Sequence, residues 1–335
     1  MNTQLPGQDK IVEIVRERYR LGDVVKIGPV PAAHQRRHRK LLLETSAGRF
    51  VVKTYKHDPH VLDALRFQHR LTDHLIAHGL PLPRIRRAKG GRRVIVVDDW
   101  AFEVQEYIPG ESMRATPGTL AAAAGTLGKF HEVCRDFPRP PRDARMWRFS
   151  NTPRNRFAEL FDRAKQLQGQ SRELMDQCNA IGLFLHEAGA ALSMDKRDSL
   201  ETGLIHGDWH GGNLLFQDER LVAIIDLEFA GEGCYLEDLA CAISNLCLRT
   251  TAHGDQLTAR ADLLLNRYQD HRALSYAEEL ALYHAVGVKH IATVCFQMTQ
   301  LNGVVAGLNA AQWMTLLDKQ CKWLAKRAEQ ARRRT

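Results

Sequence analysis

Apolar residues recur along this chain with two different periods, and the change of period marks its two parts. Ile11, Val12, Ile14, Val15 and Tyr19 fall at helical spacing, and Gly22 closes that helix. Residues 24–27 read as a first strand. Residues 40–45 and 49–55 alternate on either side of Ala47-Gly48 and predict a hairpin. A helix follows over 59–78, with Leu62, Leu65, Leu71, Leu75 and Ile76 on its buried face, and Gly79-Leu80-Pro81-Leu82-Pro83 ends it. Residues 93–97 and 101–107 predict two more strands about Asp98-Asp99. Beyond them the period is helical over 119–134, 157–167, 174–192, 238–249, 255–272, 276–300 and 308–331. Pro138, Pro140 and Pro141, with Trp147, make 135–155 an irregular connection, and the basic run 322–334 reads as a fraying tail.

The rest is organised around residues 203–230. The run is apolar to Ile205, then polar from His206 through a glycine-rich loop carrying Asp208 and Asn213, and apolar again over 214–216. Gln217, Asp218, Glu219 and Arg220 make a polar turn, and 221–225 lead to a second acid, Asp226. Two short apolar runs about a polar turn predict a hairpin, with Asn213 before its first strand and Asp226 at the end of its second. That pairing would gather two carboxylates and an amide. Like charges in one small volume repel unless a cation lies between them. Oxygen donors alone, with water to complete the shell, suit Mg²⁺. A carboxylate outside the metal shell can take a proton from a substrate hydroxyl.

Lys53 ends an apolar strand run, Val51-Val52-Lys53, and a lysine pointing inward is costly unless paired. The segment 28–39 is a poor phosphate cradle: Gly28 is its single glycine, and Pro29 and Pro31 lack amide donors. Either Arg36, Arg37, His38 and Arg39 supply the contacts, or the segment is an exposed basic loop.

Composition narrows the class. With 335 residues the chain suits two lobes, and 44% apolar residues suffice for a sizeable core. No apolar run is long enough to span a membrane, and the polar start is no signal peptide. Seven cysteines without a Cys-x-x-Cys pair read as reduced thiols of a cytoplasmic protein and argue against zinc. The net charge of +8 is concentrated at 36–40, 84–93 and 332–334, which either attracts anions such as nucleotide phosphates or nucleic acid or is a solvated surface; no nucleic-acid motif is present.

His206-Gly207-Asp208-Trp209-His210-Gly211-Gly212-Asn213, followed by Ile224-Ile225-Asp226-Leu227-Glu228 and Glu237-Asp238-Leu239-Ala240, resembles the catalytic core of the aminoglycoside phosphotransferase, choline kinase and homoserine kinase superfamily. The resemblance covers roughly residues 10–250. It implies an α+β, two-lobed, protein-kinase-like fold: an antiparallel sheet with a helix in an N-lobe (1–108), and a mostly helical C-lobe (109–335) with a catalytic-loop hairpin. It implies ATP and Mg²⁺ as cofactors and a small molecule bearing a hydroxyl as acceptor. Asp208 then matches the catalytic base, and His206 holds its loop. Asn213 and Asp226 match the Mg²⁺ ligands, and Lys53 the lysine on the α and β phosphates. Asp238 matches the acid that braces the catalytic loop.

Glu106-Tyr107-Ile108 resembles the hinge, where backbone at Glu106 and Ile108 meets adenine. Relatives place a glutamate near the middle of the helix over 59–78; this chain has Arg66, Phe67, Gln68 and His69 there. Gln68 is the candidate equivalent, so either the pair with Lys53 is weaker or another acid replaces it. Leu127-Gly128-Lys129-Phe130-His131 resembles a helix of the family, with His131 expected in the core. Trp209 and His210 are expected to pack, and His186 and Glu187 face either substrate or solvent. Glu228 either meets a second Mg²⁺ through water or a cationic substrate.

Homoserine or another amino alcohol is the first substrate the resemblance suggests, and an aminoglycoside the second. His284, Lys289, His290 and Gln297 share a helical face that either reads an anionic group or is solvated. The rival reading is a nucleotide-binding regulator with little turnover. The sequence leaves the oligomeric state open.

Overall fold

The computed structural model describes residues 6–30, 39–138, 153–249 and 254–334. Pro31, Arg36, Arg37, His38, the Arg39 side chain, Pro140, Pro141 and Trp147 lie outside the described residues, and the contacts expected of them with them.

The chain divides into two compact units: 1–111 with 222–228, and 112–221 with 229–335. The first unit opens with α1 (Gln8–Arg18), followed by β1 (Val24–Pro29), β2 (Arg39–Thr45) and β3 (Gly48–Lys56). Next come α2 (Pro59–Ala77), β4 (Val94–Val97) and β5 (Trp100–Glu106). Its five strands pair antiparallel in the order β1-β2-β3-β5-β4. Alternation puts Leu41, Leu43, Phe50, Val52, Phe102 and Val104 on one face, where Ile11, Ile14 and Val15 of α1 cover them. Pro59 begins α2, and the Asp58 carboxylate accepts from the His60 amide at 2.7 Å, a side-chain cap on the helix start. The returning segment 222–228 is tied in by the Ile224 amide, which donates to the Pro81 carbonyl at 2.8 Å.

The second unit follows the two-residue β6 (Glu111–Ser112). It holds α3 (Pro117–Val133), α4 (Arg154–Gln168), α5 (Arg172–Ala191), the single turn α6 (Met194–Arg197) and β7 (Thr202–Ile205). A 3₁₀ turn at Gly211–Asn213 leads into β8 (Leu214–Gln217), and a turn at Asp218-Glu219 into β9 (Arg220–Ile224), whose residues from Val222 onward belong to the first unit. Asp218 takes the positive φ (53°) that such a tight turn needs. Then come β10 (Gly231–Cys234), α7 (Tyr235–Ile243), α8 (Gly254–Gln269), α9 (Tyr276–Gln300) and α10 (Ala310–Arg334).

Strands β7 and β10 pair antiparallel and were not expected. Gly-Glu-Gly-Cys carries no alternation. The pair forms because Gly203 faces Gly233 in register, and a Cβ at Gly203 would fall 2.0 Å from the Tyr235 hydroxyl. Nor does the basic tail fray. Helix α10 runs to Arg334 with Leu324 and Ala328 buried, and Arg327 donates to the Tyr283 hydroxyl and to Asp262. Among the described residues no helix is long and apolar enough to cross a membrane, and all seven cysteines are free thiols.

The face of α9 holding His284, Lys289 and His290 is buried, not solvated. His290 meets the Gln320 side-chain oxygen at 2.9 Å and the Ser244 hydroxyl at 3.3 Å. Burial pushes both histidines down to about 4, with Arg332 adding to the effect at His284; at His290 the Gln320 bond opposes it and Arg249 reinforces it. Between pH 6.5 and 4 the unfolded chain therefore binds more protons than the folded one, and stability falls as pH falls. Each histidine should cost about 2 kcal/mol by pH 5, levelling near 3 kcal/mol below pH 4. Urea unfolding at pH 7 and pH 5 measures this, and His290→Gln should flatten the dependence. An unchanged slope in that variant would contradict the assignment.

Candidate active site

The expected site residues fall into two groups, one in each unit. In the first, Lys53 on β3 points inward and is 8% exposed. Its Nζ donates to Asp226 Oδ1 at 3.1 Å. Lys40, directly across the β2–β3 ladder from Lys53, donates to Asp226 Oδ2 at 2.7 Å. One carboxylate thus accepts from two ammonium groups. Burial raises the Asp226 pKa, but the charges of Lys53 and Lys40 outweigh it and hold the group well below the usual carboxylate range. Asp226 also sits at φ 60°, a left-handed conformation for a residue other than glycine and one that aims the carboxylate.

A small pocket includes Lys53, Gln68, Glu103, Ile224 and Asp226 in its lining. Gln68 is there, as expected, but no hydrogen bond joins it to Lys53 among the described contacts. The acids beside Lys53 are Asp226 and the buried Glu103. Burial alone would lower the Lys53 pKa; these two carboxylates overturn that and raise it.

At the expected hinge, Glu106 ends β5, its amide donates to the Arg84 carbonyl at 2.9 Å, and its carboxylate pairs with Arg86 at 3.2 Å. The Tyr107 amide donates to Arg49, whose guanidinium lies over the Tyr107 ring. Ile108 follows, half-buried. Arg84, Arg86, Arg87, Lys89 and Arg92 are exposed and Arg93 pairs with Asp73, so this basic run is a solvated surface.

The second group is the loop after β7. The Asn213 side-chain amide donates to the Asp208 carbonyl at 3.0 Å and to Asp208 Oδ2 at 3.3 Å. The Asp208 amide donates to His206 Nδ1 at 3.2 Å. His210 Nε2 lies 3.3 Å from Asp208 Oδ2, so His210 touches the carboxylate instead of merely packing. Burial raises the Asp208 pKa, but the hydrogen bond and charge of His210, then His206 and Lys289, bring it below the ordinary value. Asp208 is thus ionised at neutral pH.

Asp238 at the start of α7 fixes this loop. Its carboxylate accepts from the His206 amide at 2.6 Å, the Gly207 amide at 2.8 Å and His131 Nε2 at 3.2 Å. His131 is fully buried and bonds the Tyr268 hydroxyl as well, a core histidine as expected. Gly207 must be glycine: φ is 81°, and a Cβ would lie 2.7 Å from the Phe229 carbonyl oxygen. Trp209 is fully buried against Phe130 and His206, while His186 and Glu187 are exposed.

Asp238→Asn keeps the shape but turns a donor toward backbone donors. We predict a loss of about 2–3 kcal/mol in urea unfolding, with lower turnover. Wild-type stability and rate together would refute the bracing role.

The structure supplies two residues that sequence reasoning missed as partners of Lys53 and Asp226. Lys40 read as the end of a basic run. Glu103 sits between Phe102 and Val104 on a strand, the same signal that marked Lys53.

The kinase fold is independently met elsewhere. A family model described as the phosphotransferase enzyme family matches residues 30–279, and the chain belongs to that family. It is 30% identical over 243 residues to a homoserine kinase of Nitrobacter hamburgensis, covering 72% of this chain and 69% of that one. An aminoglycoside phosphotransferase of Alicyclobacillus acidocaldarius superposes with a TM-score of 0.75 at 17% identity over 99% of this chain and 98% of that one. A microcompartment-associated aminopropanol kinase gives 0.67 at 17% identity over 97% and 98%. The chain is a nucleotide-using kinase that phosphorylates a small-molecule hydroxyl. The alternative of a regulator without turnover finds no support in these similarities.

Proposed function

We propose that this kinase transfers the terminal phosphoryl group of ATP, with Mg²⁺, to the hydroxyl of a small amino alcohol, homoserine first among them. The observation that carries the proposal is the Lys53–Asp226 pair at 3.1 Å in a pocket of the first unit. Lys53 neutralises phosphate charge. Asp226 offers a carboxylate that stays ionised, and Asn213, whose amide nitrogen is engaged on Asp208, offers its oxygen. Those are hard oxygen donors, which fit Mg²⁺. The metal, when bound, would neutralise charge developing on the phosphates. Asp208 orients the acceptor hydroxyl and takes its proton.

Two observations favour an amino alcohol with an acidic group over a polycationic antibiotic. The curated relatives at 26–30% identity are homoserine kinases. Lys289, buried on α9, acts on Asp208 as a positive charge. It favours an anionic acceptor and disfavours a polycation. Phosphorus NMR of the wild type with ATP, Mg²⁺ and a panel of homoserine, aminopropanol, choline and an aminoglycoside tests this. A new phosphomonoester signal with homoserine is expected; turnover of the aminoglycoside alone would overturn the substrate assignment.

A further inference from the structure

Lys53 is a buried cation, and it needs an anion beside it. In this structure Asp226 serves. In the function proposed above, however, Asp226 also serves a divalent cation, which competes with the lysine for the same oxygens. The middle of α2 offers no acid in compensation, having Arg66, Phe67, Gln68 and His69.

Glu103 lies in the same pocket and stands directly opposite Lys53 in the β3–β5 ladder. It is 1% exposed. Both its oxygens are fixed: Oε2 by Nε2 of His69, which projects from α2, and Oε1 by the Gln105 amide at 2.6 Å. A carboxylate at this depth is costly unless something requires its charge. Burial pushes its pKa up, but the His69 hydrogen bond and charge, with the charge of Lys53, outweigh it and keep Glu103 ionised.

We infer that Glu103, anchored by His69 and Gln105, is the positioning residue for Lys53: it keeps the ammonium aimed at the phosphates when Asp226 turns to the metal. The acid comes from strand β5, and helix α2 contributes the histidine that orients it. The inference rests on the proposed kinase chemistry of the same pocket.

The test needs no acceptor. Binding of the ATP analogue AMP-PNP with Mg²⁺ is measured by calorimetry on the wild type, Glu103→Gln, Lys53→Met and the double variant, with thermal melting as the check on folding. Glu103→Gln should weaken binding at least about tenfold, and the double variant should bind no worse than Lys53→Met, because the two residues act as one unit. Should Glu103→Gln not fold, Glu103→Asp withdraws the carboxylate while keeping its charge, and a several-fold loss is expected.

A folded Glu103→Gln or Glu103→Asp protein that binds as wild type overturns the inference. So do losses that multiply in the double variant, since Glu103 would then act on the fold and not through Lys53. A wild type that binds no Mg·AMP-PNP removes the kinase reading itself, and this inference with it.

Discussion

Replacing Asp208 by alanine is expected to lower turnover by about 10²–10⁴-fold while leaving the affinity for Mg·ATP within about threefold of wild type. The carboxylate is ionised at neutral pH, touched by His210 and held by the Asn213 amide. An acceptor hydroxyl becomes a better nucleophile only as its proton leaves, so the interaction grows in the transition state. In the proposed site nucleotide binding rests mainly on Lys53 and Asp226, with Asn213 keeping its bond to the residue-208 carbonyl, and should be largely spared. Asp208→Asn is the stricter variant, because it retains the size of the side chain. Single-turnover phosphoryl transfer to the acceptor found by the NMR screen measures the step. An Asp208→Asn enzyme with full turnover would remove Asp208 from the chemistry.

Replacing Asp226 by alanine should abolish the dependence of nucleotide binding on Mg²⁺. With a ligand lost outright, metal-assisted affinity should fall by at least about 100-fold. The same change leaves Lys40 and Lys53 side by side without their shared anion. Removing one partner of a buried ion pair destabilises, here by roughly 2–4 kcal/mol, the lower end being favoured because the Asp226 side chain is 20% exposed. Two lysines relieved of the Asp226 carboxylate also attract phosphate, so metal-free ATP should bind the variant at least as well as it binds the wild type. Calorimetry with and without Mg²⁺ separates the two effects.

Much of this was legible in the sequence because it is local. The strands and helices of the first unit follow from alternation and period; Asp208 and Asn213 stand out in a glycine-rich loop before a hairpin, and Asp238 only through the family resemblance. Lys53 stood out as a lysine inside an apolar strand. What escaped is non-local. Lys40 contacts Asp226 across 186 positions, and His69 reaches Glu103 across 34. No short-range pattern encodes either. Helix charges misled where a partner element buries them: His290 is paired by Gln320 of α10, and the basic residues of α10 hide the buried Leu324 and Ala328. The β7–β10 ladder is glycine against glycine and has no hydrophobic signature.

The most direct test is one calorimetric comparison: ATP titrated into the wild type, Asp208→Ala and Asp226→Ala, each with and without Mg²⁺. Wild type and Asp208→Ala should bind alike and gain affinity from Mg²⁺, while Asp226→Ala gains none. ATP binding indifferent to Mg²⁺ in the wild type, or an Asp226→Ala protein that keeps the full gain, would contradict the assignment of the nucleotide and metal site.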